Sequence, residues 1–229
     1  MGTTIDLAST DGISAYVAEP EDAPQGTIVV VQEIFGVNSH IRSVADHYAK
    51  EGFIAIAPAL FDRVEKDVDL DYSPESVEKG MEIVRQIGFE LALTDVAAAI
   101  AWAEKRTPGR VAVVGFCFGG TLAWLAATRL RPAAVVAYYG GHIAQFLSEP
   151  PQVPVMVHFG ERDAHIPREV SEAIKQRYPD VSVHLYPADH GFNCDVRASF
   201  DPLSAALAKE RTLEFLRSHL VLRSAGRKG

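Results

Sequence analysis

The residues that could do chemistry begin with a cysteine between glycines at the end of an apolar run. The segment 111–115 leads into Phe116, Cys117 and Phe118, with Gly115 before and a glycine pair after. The pattern Gly-x-Cys-x-Gly between a predicted strand and a predicted helix is typical of a nucleophile elbow. Side chains beside so tight a turn would collide with neighbouring backbone, which explains the glycines. Cys117 is therefore predicted to be a nucleophile.

The start of a helix at this point favours a reactive sulfur. Unpaired N–H groups and the helix dipole at a helix N-terminus stabilise a thiolate. The same N–H groups, chiefly that of Phe118, can hold an oxyanion. The alternative interpretation makes Cys117 a small buried hydrophobic residue, and it leaves the glycines on either side without a purpose.

An acid and a histidine follow the cysteine in the chain order expected for such a site. Asp163 stands just beyond the apolar run 155–159, and His190 stands just beyond the run 181–186. The imidazole of His190 is predicted to take the thiol proton and later to activate water, while Asp163 holds the ring in the correct tautomer. Other side chains compete for these roles: Glu161, Asp189, His158, His165 and His184.

A carboxylate, Glu33, directly follows the apolar run 27–31. A carboxylate at a buried strand end needs a partner. Two interpretations stay open. In one, Glu33 forms a structural ion pair. In the other, it contacts Cys117 in the resting protein while the N–H of Ile34 completes the oxyanion hole.

Cys194, four residues beyond His190, is the second cysteine. It could be a redox partner or a metal ligand, but no Cys-x-x-Cys or His-x-x-x-His spacing accompanies it. A packed or pocket-lining thiol is the favoured interpretation.

The elements that position these residues alternate between apolar runs and helical segments, which predicts a mostly parallel, doubly wound α/β sheet flanked by helices. Runs rich in Val, Ile and Ala are typical of strands buried on both faces. The predicted strands are 27–31, 53–57, 111–115, 133–139, 155–159 and 181–186, after an antiparallel edge hairpin over 4–18. The predicted helices run from Asn38 to about Gly52, over 74–105 with an interruption near Gly88, and over 121–129, 167–177 and 202–219.

Length and charge restrict the class of protein. A chain of 229 residues suits one domain over 1–229, with 223–229 as a frayed basic tail. The net charge of −8 disfavours nucleic acid, so we expect a small-molecule substrate. No secretory signal or membrane span is visible, which predicts a cytoplasmic protein, either a monomer or a small homo-oligomer. The Asp-rich segment 62–71 is interpreted as a solvated loop or, alternatively, a lid over the site.

Several motifs together resemble the dienelactone hydrolase (carboxymethylenebutenolidase) family of α/β-hydrolases. The similarity in order and spacing covers nearly the whole chain, through 32–38, 115–120, 138–140, Asp163, 190–192 and 210–212. The resemblance implies an α/β-hydrolase fold and a Cys117-His190-Asp163 triad in which the thiolate attacks a lactone carbonyl. It also implies that Glu33 interacts with the resting thiol, that Tyr139 lies near the substrate, and that neither a metal nor an organic cofactor takes part.

The chain departs from the family in how it holds a substrate carboxylate. Two family arginines fall here near Val77 and at Cys194, neither of which pairs with an anion as Arg does. Arg85 or Arg197 could substitute, and Phe35 joins Tyr139 as a predicted substrate-binding residue. We expect hydrolysis of a small lactone or enol-type ester through a thioester. The alternative is a redox-sensitive or ligand-binding protein with a reactive Cys117 and little hydrolysis.

Overall fold

The computed structural model describes residues 2–7 and 12–221, so the predicted tail 223–229 and the tip of the predicted hairpin lie outside the described residues. The six predicted strands agree with those of the structure to within one residue at each end. The strands are β1 (Thr3–Asp6), β2 (Ser14–Ala18), β3 (Thr27–Val31), β4 (Ile54–Pro58), β5 (Val111–Phe116), β6 (Ala134–Tyr138), β7 (Val155–Gly160) and β8 (Ser182–Tyr186).

The predicted helices are also present, and each begins where its sequence provides a cap or a turn. The side chain of Asn38 accepts the Ile41 N–H at 3.2 Å, and Gly88 interrupts the longest helix with φ 63°. One boundary was wrong: the helix after the elbow begins at Phe118 instead of 121, because the turn is confined to a single residue. The helices are α1 (Ser39–Lys50), α2 (Pro74–Glu104), α3 (Phe118–Arg129), α4 (Arg168–Arg177) and α5 (Pro202–Leu220).

The strands form one sheet in the order β1-β2-β4-β3-β5-β6-β7-β8. Neighbouring strands from β4 to β8 in this order run parallel, whereas β2 pairs antiparallel with both β1 and β4. Successive residues of a strand point to opposite faces, and all of Val29, Val30 and Val31 are fully buried, so both faces are covered. The chain passes from β3 to β4 on one side and then to β5 on the other. This reversal leaves a crevice at the carboxyl ends of β3 and β5, where ligands of such sheets bind.

The Asp-rich segment is exposed in its middle part and packs against neighbouring elements in its last part. Residues 64–67 are exposed, as expected for a solvated loop. Beyond them the chain contacts the loop after β3 and helix α1: the Leu70 N–H donates to the Phe35 carbonyl at 3.0 Å, and Asp69 pairs with Arg42 of α1 at 2.8 Å. The last part of the segment therefore packs beside the loop after β3. Among the described residues, no helix is both long enough and apolar enough to cross a bilayer.

Candidate active site

Cys117 occupies the single-residue turn between β5 and α3. Its φ is 53°, a left-handed conformation that a non-glycine residue adopts only where the surroundings impose it. A Cβ on Gly115 would overlap the Gly119 carbonyl, and a Cβ on Gly119 would overlap the Val31 carbonyl. The two glycines are therefore required by the close approach of backbone around the turn, as the sequence predicts. Cys117 itself remains partly accessible.

His190 lies between Cys117 and Asp163. Its Nε2 is 3.2 Å from the Cys117 Sγ, and its Nδ1 is 2.7 Å from the Asp163 Oδ2. The second carboxylate oxygen of Asp163 accepts the backbone N–H of His165 at 2.8 Å, which fixes the orientation of the carboxylate. The Asp163 side chain is fully buried and that of His190 is 13% exposed. Loops after β5, β7 and β8 thus bring the three predicted residues into one line.

The electrostatics of this line favour a charged imidazole. Burial by itself lowers the pKa of His190, but the Cys117 thiolate and the hydrogen bonds to Asp163 and Cys117 outweigh it and raise the pKa to about 10. An imidazolium beside the sulfur stabilises the thiolate, which is the nucleophilic form of cysteine. The arrangement can therefore deliver a nucleophile and a proton donor together.

The competing histidines differ in their distance from the proposed nucleophile, and only the His165 ring contacts His190, at 5.3 Å between ring centroids. His158 is fully buried and bonds the Tyr186 hydroxyl at 2.8 Å and the Thr212 hydroxyl at 3.0 Å, while the His184 ring stacks against it at 5.5 Å. His165 contributes its backbone N–H to Asp163. None of the three rings bonds to the nucleophile among the described residues.

The competing acids lie at the surface. Glu161 is exposed. The carboxylate of Asp189, next to His190 in sequence, is 3.7 Å from Arg162. Asp163 is therefore the acid that contacts the imidazole.

The N–H groups predicted to bind an oxyanion are those of Ile34 and Phe118. Within residues 2–7 and 12–221, neither the Ile34 N–H nor the Phe118 N–H donates a hydrogen bond. Phe118 is the first residue of α3, so its N–H has no partner within the helix. The Gly119 N–H donates to the Gln32 carbonyl at 3.0 Å and holds the loop after β3 against the elbow. Two N–H groups beside a nucleophile suit a developing negative oxygen.

Glu33 does not have the partner that the resemblance implies. Its carboxylate, on a residue 1% exposed, is 3.3 Å from the Tyr72 hydroxyl and 3.3 Å from the Arg197 Nη1. Across the described part of the chain, no hydrogen bond joins Glu33 to Cys117. The hydrogen bonds of Glu33 therefore fit the ion-pair interpretation, with Arg197 on the loop after β8 as its partner.

The predicted substrate-binding arginines differ in their surroundings. The Arg197 guanidinium lies 5.8 Å from the Phe35 ring and 5.6 Å from the Tyr72 ring. Burial opposes its charge, but the Glu33 carboxylate outweighs burial and raises the pKa of Arg197. Phe35, 2% exposed, supports this guanidinium from the core. Arg85, in contrast, is exposed on α2 and has no ion pair to another described residue.

Tyr139, which the resemblance places near the substrate, packs beside His190. It is fully buried, has a φ of 37°, and places its ring 5.1 Å from the His190 ring. Its hydroxyl has no hydrogen-bond partner among the described residues. Burial and the nearby Glu33 raise the pKa of Tyr139 well above its ordinary value, so the hydroxyl stays neutral.

Sequence reasoning missed three neighbours of the site. Tyr72 bonds Glu33 and Asn38, and the Phe89 ring packs 5.4 Å from the Phe118 ring. His40 lies with Glu33 and Cys194 in a buried set whose donor atoms are all within 4.8 Å of one another and could hold a metal ion. No motif marks these residues. For Tyr72, the one pointer is its position at the end of the Asp-rich segment.

Comparison with known proteins identifies the family to which this chain is similar. The model of the dienelactone hydrolase family matches residues 13–220. A Synechocystis protein named "Putative carboxymethylenebutenolidase" is 37% identical over 227 residues, covering 91% of this chain and 92% of that protein. The carboxymethylenebutenolidase of Pseudomonas putida is 33% identical over 223 residues, covering 93% and 94%. A solved Klebsiella pneumoniae structure, called "Putative Dienelactone Hydrolase", superposes with a TM-score of 0.82 at 30% identity, covering 94% and 98%.

The matched region includes the strands of the parallel sheet, the elbow and the loops after β7 and β8. The fold predicted from the alternating pattern is the fold of these relatives. The chain belongs to the dienelactone hydrolase family and is a carboxylic-ester hydrolase with the α/β-hydrolase fold.

Proposed function

We propose that this protein hydrolyses a small lactone or an activated, enol-type ester with Cys117 as nucleophile, His190 as proton carrier and Asp163 as the residue that positions His190. The observation that carries the proposal is the imidazole held 3.2 Å from the sulfur and 2.7 Å from the buried carboxylate. A nucleophile bonded to a base, with the base bonded to an orienting group, is the arrangement that nucleophilic catalysis requires.

In the first step the Cys117 thiolate attacks the carbonyl carbon, and the carbonyl oxygen becomes an oxyanion bound by the Ile34 and Phe118 N–H groups. Collapse of this intermediate breaks the C–O bond. The departing oxygen takes the proton from His190, and the acyl group remains on the sulfur as a thioester. His190, now neutral, takes a proton from water, whose oxygen attacks the thioester. The acid leaves, and the thiolate–imidazolium pair is restored.

The nucleophile limits the choice of substrate. A thiolate is a better leaving group than an alkoxide, so the first intermediate of an ordinary alkyl ester returns to the starting ester. An enolate or phenolate leaves more readily and lets the thioester form. We therefore expect turnover of enol lactones and aryl esters, and little turnover of simple alkyl esters.

A carboxylate on the substrate would form an ion pair with the Arg197 guanidinium. The guanidinium offers a planar set of donors beside the triad, and its pairing with Glu33 at 3.3 Å is long enough to be exchanged for a substrate anion. The Pseudomonas putida relative carries the name carboxymethylenebutenolidase, which supports a lactone substrate. Val77 and Cys194 occupy the positions where the resemblance places the family's two arginines, so we infer that Arg197 takes over this role.

The test compares two activated esters of matched size, one with a free carboxylate and one without, on four proteins. Cys117→Ser should lose nearly all turnover of both. Arg197→Gln should raise KM for the carboxylate ester by about tenfold or more, since a hydrogen bond to a charged group contributes about 1.5–3 kcal/mol, and should leave the neutral ester unchanged. Arg85→Gln is the matched control and should behave as the wild type. Absence of turnover in a protein whose Cys117 titrates normally would contradict the proposal.

The redox alternative is tested in the same samples. A partly accessible sulfur beside an imidazolium is also the kind of cysteine that peroxide oxidises. Rapid oxidation of Cys117 together with negligible ester turnover would favour this alternative. Ester turnover that alkylation of Cys117 abolishes would exclude it.

A further inference from the structure

Three donor side chains from distant parts of the sequence meet beside the Glu33–Arg197 ion pair. Glu33 follows β3, His40 lies in the first turn of α1, and Cys194 lies between β8 and α5. All three residues are buried, and one donor atom from each lies within 4.8 Å of the other two. Carboxylate, imidazole and thiolate are the three ligand types that zinc takes in proteins.

His40 supplies an observation independent of the clustering. It is 5% exposed, and its Nε2 is buried without a hydrogen-bond partner among the described residues. A buried nitrogen left without a partner costs free energy, so it is rare without a ligand. The other ring nitrogen, Nδ1, is 3.2 Å from the Asp195 carboxylate. A carboxylate on one ring nitrogen and a metal on the other is the usual arrangement around zinc-bound histidine.

We propose that the Cys194 sulfur, the His40 Nε2 and a Glu33 carboxylate oxygen bind a thiophilic divalent cation of the Zn²⁺ type, at a site separate from the Cys117 nucleophile. Binding forms a metal–sulfur bond, and the thiol proton of Cys194 passes to solvent. The fourth position is open to water or to the Tyr72 hydroxyl, which already bonds Glu33 at 3.3 Å.

The distances and charges of the cluster fit such an ion. Zinc bonds of about 2.0–2.3 Å place tetrahedral ligands about 3.5 Å apart, so the donors must approach by about 1 Å, which side-chain rotation provides. The Cys194 thiolate, Glu33 and Asp195 carry three negative charges. These charges balance the dication and the Arg197 guanidinium, so the loaded site is neutral overall and Arg197 does not prevent binding.

A cleft between α1 and α5 opens beside His40, one of the three proposed ligands. The cleft, of about 320 Å³, is lined by His40, Asp195, Asn193 and Phe116. The Asp195 side chain is 65% exposed, and its carboxylate attracts a cation toward His40. Because Glu33 also pairs with Arg197, a bound ion competes with Arg197 for the Glu33 carboxylate. Any effect of this competition on substrate binding rests on the proposed function, whereas metal binding itself does not.

The experiment measures Co²⁺ binding to the full-length Cys117→Ser protein after removal of metal by a chelator. This background lacks the catalytic sulfur, so it separates the new site from the nucleophile and from the outcome of the esterase assays. We expect one Co²⁺ per chain, with a near-ultraviolet sulfur-to-cobalt absorption band that Zn²⁺ removes. The band should be lost when Cys194→Ser is added.

A second pair of variants keeps the test valid if Cys194→Ser fails to fold. His40→Gln should weaken Co²⁺ binding at least tenfold, and Asp195→Asn should weaken it by about 10- to 100-fold through the ring orientation. His47→Gln is the matched control, since His47 lies on the same helix and lines the same cleft. Equal affinity in His40→Gln and His47→Gln, no band in Cys117→Ser, or a band that survives Cys194→Ser would each overturn the proposal.

Discussion

Replacement of Asp163 by Asn tests the triad most directly, because both oxygens of the carboxylate are in use. One accepts from His190 Nδ1 at 2.7 Å, and the other accepts the His165 N–H at 2.8 Å. An amide has a single acceptor oxygen. If that oxygen stays with the His165 N–H, the amide NH₂ faces His190 Nδ1 and donates to it. The proton of the neutral imidazole must then sit on Nε2. A protonated Nε2 points its N–H at the Cys117 sulfur, so it cannot accept the proton of the thiol.

The size of the effect follows from this tautomer change. The corresponding substitution in serine enzymes lowers kcat by about 10⁴, equivalent to about 5–6 kcal/mol in the activation free energy. The loss of the carboxylate charge also withdraws support from the imidazolium. The fold should tolerate the change, since Asn matches Asp in size and keeps the bond to His165; a net hydrogen bond contributes only about 0.5–1.5 kcal/mol.

The assay is kcat/KM for an aryl ester, with thermal unfolding and the rate of iodoacetamide alkylation of Cys117 measured on the same preparations. Asp163→Asn should lose about 10⁴ in kcat/KM and should slow alkylation near neutral pH. Asp189→Asn is the matched control, because Asp189 adjoins His190 in sequence but pairs with Arg162 at the surface. A folded Asp163→Asn protein within tenfold of the wild-type kcat/KM would refute the role of Asp163.

Two more results are expected. In Cys117→Ser, NMR titration should place the pKa of His190 below the value of about 10 in the wild type, because burial is then no longer outweighed by the thiolate. A raised pKa means that the stability contributed by His190 is complete below about pH 6.5 and is lost as the pH rises through about 10. An unchanged pKa would contradict the ion pair. Gly119→Ala should destabilise the fold, since its Cβ would meet the Val31 carbonyl, whereas Gly141→Ala, with open space around it, should melt as the wild type does.

The local features of this protein could be predicted from its sequence. The elbow is recognisable because a tight turn excludes side chains at the positions of Gly115 and Gly119, and short-range sterics leave a direct mark on residue type. Strands buried on both faces appear as continuous apolar runs. Asp163 and His190 were found because each follows a strand whose carboxyl end points toward the elbow. Chain order and parallel topology are enough to bring such residues together.

The pairings around the site were decided only by the tertiary structure. Glu33 meets Arg197 and not Cys117, and its carboxylate also shares a pocket with His40 and Cys194. The contacts of Glu33 with Arg197 and Cys194 join segments more than 150 residues apart, and they depend on how the loop after β8 packs against the loop after β3. Arg85 and Arg197 look alike as residue types, yet one is exposed and the other is paired. A side chain's partner depends on three-dimensional proximity, which no spacing along the chain encodes.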